Sequence, residues 1–74
     1  MTLYENNLND LQRAANRAEY VSAPASEKQV RYLAKLLTDK EYTVKKLWGS
    51  DSNYALTSKR ASGFIDDLIH EDER

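Results

Sequence analysis

Two stretches decide how this chain folds: Ala25-Ser-Glu-Lys-Gln-Val-Arg-Tyr-Leu-Ala-Lys-Leu-Leu37 and Leu56-Thr-Ser-Lys-Arg-Ala-Ser-Gly-Phe-Ile-Asp-Asp-Leu-Ile69. Each opens on a helix-start signal and continues with helical apolar spacing. In the first, the Ser26 hydroxyl is placed to cap a helix, and Gln29 reaches back to the Ser26 backbone N–H, a capping box. At 100° per residue Val30, Leu33, Ala34 and Leu37 share one face. Tyr32 and Leu36 lie further round, so the apolar arc is about 200° wide, more than one neighbouring helix covers. A helix over about 26–38 therefore needs two contacts. One is a helix over about 57–69, and the other is the N-terminal segment or a partner. In the second stretch Thr57 is the N-cap, and Ala61, Phe64, Ile65, Leu68 and Ile69 form the inward face. Gly63 projects to the back, where it costs about 1 kcal/mol relative to alanine. Close approach by a partner is one reason to keep it.

A chain of 74 residues is one domain at most, and its core is expected to supply only about 3–5 kcal/mol. With no cysteine it has neither a disulfide framework nor thiolate zinc. Glu5 and Asp10 stand where a basic leader region would begin, and no apolar run approaches the ~20 residues of a membrane span. The expected place is the cytoplasm of a bacterial host, with no membrane contact. Catalytic groups are scarce, which points to a non-enzyme. His70 is the sole histidine, Asp66 and His70 make at best half a metal site, and Asp66 and Asp67 point about 100° apart on a helix. No glycine-rich loop cradles phosphate. No cofactor, metal or small-molecule substrate is expected.

Ahead of the first stretch, Tyr4, Leu8, Leu11, Ala15 and Ala18 are spaced four, three, four and three, a narrow heptad seam over a helix at about 3–19. Thr2 with Glu5 can cap it. Asn6, Asn7, Asn9 and Asn16 weaken it, so it needs a surface to lie on. That surface is the chain's own core or, because the seam is coiled-coil-like, a second copy or a partner protein. Residues 21–25 read as a linker, since Pro24 denies Ala23 the helical region. Between the two main helices a short helical turn near 44–48 is expected, capped by Thr43 and ended by Gly49 at positive φ, with Trp48 covering one end of the core. A strand over 42–44 is the alternative. Gly49-Ser-Asp-Ser-Asn53 is a turn cluster with too few carboxylates for a calcium loop. The organisation expected is all-α: an N-terminal helix in 1–20, a linker, a helix–extended loop–helix core over 26–70 and a frayed acidic tail at 71–74.

Lys28, Arg31 and Lys35 form a basic strip beside Tyr32, a pattern that can hold phosphate and stack a base, or simply be a solvated helix face. Lys45, Lys46, Lys59 and Arg60 add further cations. Over residues 25–69 eight basic side chains face six acidic ones, a small surplus beside the basic footprint of typical DNA-binding domains.

The pattern Ser26, Lys28, Gln29, Tyr32, Leu33, Leu36, then Leu56, Thr57, Lys59, Ala61, Ser62, Ile65 and Leu68 resembles a motif in small, mostly uncharacterised phage and actinobacterial proteins. It is also similar to segments attached to phage DNA-metabolism proteins. The resemblance implies helix, extended loop, helix, an architecture some DNA-binding modules share. One departure is Arg60, where that motif has an acidic residue completing the cap of Thr57. A shorter stretch, Tyr42-Thr-Val-Lys45 with Gly49, Asp51, Ser52 and Asn53, is similar to part of a prophage inhibitor of an RNA-guided DNA nuclease.

Three functions follow as expectations. The first is a non-enzymatic phage-type module acting through protein–protein contacts, self-associating as a homodimer through its N-terminal helix. Its contact residues would be Tyr4, Leu8, Leu11, Tyr32, Leu36 and Gly63. The second is direct nucleic-acid binding through Lys28, Arg31, Lys35, Lys45, Lys46, Lys59 and Arg60. The third is inhibition of a host nucleic-acid or defence enzyme.

Overall fold

The computed structural model describes residues 2–71 and is all-α: α1 (Leu3–Ala18), α2 (Glu27–Asp39), the single turn α3 (Lys45–Trp48) and α4 (Ser58–Glu71). The acidic tail beyond Glu71 lies outside the described residues, and Glu71 itself is still helical. α2 is the central helix, with α1 against one flank and α4 against the other. This is the pair of contacts its wide apolar arc requires. Val30, Leu33, Ala34 and Leu37 are buried in one core with Leu11, Ala14, Ala15, Leu56, Ala61 and Leu68.

The helix starts form as their side chains dictate. The Thr2 hydroxyl accepts the Glu5 N–H at 3.1 Å and donates to the Glu5 carboxylate. Ser26 and Gln29 close a full capping box, with the Ser26 N–H donating to Gln29 Oε1 at 2.9 Å and the Gln29 N–H to Ser26 Oγ at 3.1 Å. Thr57 Oγ1 accepts the Arg60 N–H at 3.2 Å. In place of an acidic partner for that cap, Arg60 turns back to donate to the Ala55 carbonyl at 3.0 Å. Its charge is thus drawn off the positive helix start.

α2 ends in a motif the sequence does not advertise. The Tyr42 N–H donates to the Leu37 carbonyl and the Glu41 N–H to the Thr38 carbonyl, the paired bonds of a Schellman closure. The left-handed residue it needs is Glu41, at φ 60°, where glycine would avoid about 1 kcal/mol or more of strain.

The segment read as a linker joins α1 to α2, and its end, residues 23–25, is fixed to the start of α4. Pro24 and Thr57 form an isolated antiparallel bridge, made by Ala25 N–H to the Leu56 carbonyl at 3.0 Å and Ser58 N–H to the Ala23 carbonyl at 2.9 Å. Pro24, which has no N–H to give, sits between the accepting Ala23 carbonyl and the donating Ala25 N–H, so the bridge asks no donor of it. α2 and α4 therefore leave side by side from one anchored end. Gln29 Nε2 donates to the Ser58 carbonyl near that end, and Tyr42 Oη donates to the Glu71 carboxylate at the other. The two helices run parallel, while α1 runs opposite. Asn7 near its start meets Thr38 and Tyr42 beyond the last turn of α2.

Parallel neighbours force the connection between them to travel back along the molecule, and residues 40–57 do so. No strand forms over 42–44 or elsewhere among the described residues. Thr43 does not cap α3 through its side chain: Val44 holds the N-cap position without a side-chain bond. Gly49 ends the turn at φ 68°. Trp48 stacks on Tyr54, ring centroids 4.5 Å apart and planes within 5°, and both lie 6.1 Å from the Phe64 ring. The return path is thereby pinned to α4. Leu56 then enters the core, its N–H donating to the Ala14 carbonyl of α1.

Candidate functional site

The N-terminal seam points inward. Leu11 is fully buried, and Tyr4 and Leu8 are packed against the core. Of the two surfaces expected for this seam, the chain's own core takes it, and Leu11 is closed to a second copy while Tyr4 and Leu8 keep part of their surface. The wide arc of α2 and the thin stripe of α1 are complementary halves of one contact. Burial takes α1 into the domain because a marginal helix gains most by desolvating its apolar edge on a surface already present.

A different apolar surface remains. Tyr32 is 46% exposed and Ile69 39% exposed; Ile69 had been expected to face inward. The bond from Gln29 Nε2 to the Ser58 carbonyl sets the start of α2 beside the start of α4. On α2, Leu36 lies two turns beyond Gln29 on the same flank, with Tyr32 just outside it. On α4, Ser58, Ser62, Ile65 and Ile69 follow one another at helical spacing along the facing flank. The outer seam between the parallel helices thus carries Tyr32 and Leu36 on one side and Ser62, Ile65 and Ile69 on the other. Leu36 and Ile65 are half-buried and root the seam in the core. Tyr20 and Val21, at the turn after α1, are the other large apolar side chains left exposed.

Gly63 is exposed on the back of α4, and a Cβ built there meets nothing within 4 Å. Nothing inside the domain requires glycine at this position. Gly63→Ala is expected to raise stability by about 0.5–1 kcal/mol, measured by urea unfolding followed by circular dichroism. If that variant also keeps every partner, the position has no contact role.

The seven candidate cations divide into groups. Lys28, Arg31 and Lys35 lie exposed along the outer side of α2 on either side of Tyr32. Arg31 is held by an ion pair with Glu27 one turn earlier. Lys46 lies over the Tyr42 ring at 5.0 Å and Arg60 over the Tyr54 ring at 5.2 Å, so both cap aromatic faces of the return path. Lys59 is exposed at the start of α4. Lys45 lines an open cleft of about 270 Å3 between α1 and the α3 turn.

That cleft brings together residues that sequence reading leaves apart. Asp10, Arg13 and Arg17 come from α1; Val44, Lys45, Trp48 and the Gly49–Ser52 turn form the other wall. Arg17 Nε donates to the Tyr54 carbonyl at 2.8 Å, tying the return path to α1. Asp10 lies 4.0 Å from Arg13, and Asp51 accepts the Asn53 N–H at 3.0 Å. The sequence signal for Arg13 and Arg17 was their spacing of four on the polar side of α1, which marks a shared face but names no neighbour.

Among the described residues no group of three or more His, Cys, Asp or Glu side chains is arranged to hold a metal ion, and no helix is long and apolar enough to cross a membrane. In comparisons with known proteins, no family model, no curated protein and no solved structure matches this chain.

Proposed function

We propose that this domain is a non-enzymatic binding module whose protein partner docks on the outer seam between α2 and α4. The observation that carries this reading is that Tyr32 and Ile69, on adjacent helices, are large apolar side chains left half-exposed, about two turns apart along the seam with half-buried Leu36 and Ile65 between them. Aromatic anchors of this kind supply much of the binding energy at protein interfaces. Lys28 and Lys35 on the α2 side and Asp66 on the α4 side border the seam with opposite charges. Such a border orients a partner and speeds its arrival more than it adds affinity. A small inhibitor that covers a host enzyme is one form such a module takes.

The test is retention from nuclease-treated host lysate on the immobilised domain, with Tyr32→Ala/Ile69→Ser as the comparison. Both positions are partly exposed, so the double variant is expected to stay folded by circular dichroism and to lose a captured protein at least tenfold. Equal capture by both forms would refute the seam. Capture seen only from untreated lysate, and lost with Lys28→Gln/Lys35→Gln, would replace the protein partner with nucleic acid on the basic strip.

A further inference from the structure

We infer that the cleft between α1 and α3 binds a nucleotide unit, its phosphate held by Arg13, Arg17 and Lys45 and its base against Trp48. This site is separate from the α2–α4 seam and does not depend on it.

The lining supplies both kinds of contact that a nucleotide needs. Three cationic side chains converge from two elements on one opening, against two carboxylates. Asp10 lies 4.0 Å from Arg13 and Asp51 accepts an N–H of its own turn, so three cations against two anions leave the opening a net charge of +1. Arg17 is the fixed member, because its Nε bond to the Tyr54 carbonyl immobilises the guanidinium at the wall. A guanidinium held in advance loses less freedom when it takes an anion.

The aromatic contact follows from the stack. Arg60 covers Tyr54, and Tyr54 covers one face of the Trp48 indole. Trp48 also lines the cleft, which puts the end of this pile of planar groups at the opening. A base entering the cleft continues it, and base–aromatic contact tolerates any base. The volume of about 270 Å3 falls just short of the usual range of ligand pockets, which run from roughly 300 Å3 upward. A single nucleotide unit is the match for an opening of that size. That unit is a free mononucleotide or one residue of a single strand, and the two share the same contacts.

Trp48 is the only tryptophan, so its fluorescence reports the site directly. The protein is titrated with thymidine 5′-monophosphate, with a short oligothymidylate and with unphosphorylated thymidine, and amide shifts of the labelled protein are recorded in parallel. A saturable change with the monophosphate, at least tenfold weaker with thymidine, places a free nucleotide in the cleft. A change with the oligonucleotide alone assigns the site to a strand. Its log affinity should then fall against log salt with a slope of roughly −0.7 for the one phosphate held. In either case Arg13→Gln/Lys45→Gln, exposed positions that leave the Arg17 anchor intact, should weaken binding at least tenfold, with shifts confined to residues 10–17 and 44–54. The inference is overturned if neither phosphorylated probe changes fluorescence or amide shifts. It is equally overturned if the double variant binds as well as the parent, or if the shifts map elsewhere.

Discussion

Replacing Leu33 with alanine is expected to leave the domain largely unfolded at 37 °C. Leu33 is fully buried in the middle of α2, the helix that both α1 and α4 contact. Removing such a leucine from a packed interior costs about 2–5 kcal/mol, the lost transfer energy plus the cavity that remains. A core of this size supplies only about 3–5 kcal/mol in all. The domain has no disulfide to hold a partly emptied core together, since it has no cysteine. Thermal melting followed at 222 nm should show the folded baseline shortened or lost. Leu33→Met, close in volume, should stay within about 1.5 kcal/mol of the parent. A Leu33→Ala protein within 1 kcal/mol of the parent would mean that α2 is not the hub of the core.

The second large effect is expected at Asn7. Its side chain is 1% exposed, and its Nδ2 donates to the Tyr42 carbonyl at 3.0 Å and to Thr38 Oγ1 at 3.3 Å. Tyr42 is the residue that completes the Schellman closure of α2, so one amide ties the start of α1 to the end of α2. Asn7→Ala gains helix propensity, yet it removes the donor and leaves the carbonyl short of a partner in a closed space, at about 1–3 kcal/mol. Net destabilisation is expected in urea unfolding. Asn7→Asp should be worse at neutral pH, because it replaces the donor with a charge facing an acceptor oxygen. If alanine is stabilising here, propensity outweighs the tertiary bond, and the docking of α1 rests on its apolar seam alone.

Asn7 also shows where local reading stops. With Asn6, Asn9 and Asn16 it reads as one of several poor helix formers. Helical spacing sets it beside the seam, three residues after Tyr4 and four before Leu11, whereas Asn6 is on the opposite side and exposed; that spacing names no partner for it. Its role comes from residues 31 and 35 positions away. The two main helices were legible to within a residue or two at most ends. Their signals are short-range: Ser26 with Gln29, Thr57 three residues before the N–H it accepts, and apolar side chains recurring at the helical period. The Glu41 closure was not legible, because the bonds it makes are to backbone and the residue usually found there is glycine. Ile69 fitted the inward pattern of α4 and still emerges at the seam, since two parallel helices cannot enclose the outermost edge of both apolar faces.

The sequence by itself determined the helical segments, the N-caps of α1, α2 and α4, the turn at Gly49 and the need of α2 for two neighbours. Each depends on backbone groups or side chains within about one helical turn, whose energetics are local. Only the tertiary structure decided that α1 is one of those neighbours and that residues 23–25 pair with 56–58. It also decided that Arg13, Arg17, Lys45 and Trp48 share an opening. Those outcomes turn on which distant surfaces desolvate one another most completely, and that competition leaves no mark on any single stretch of chain.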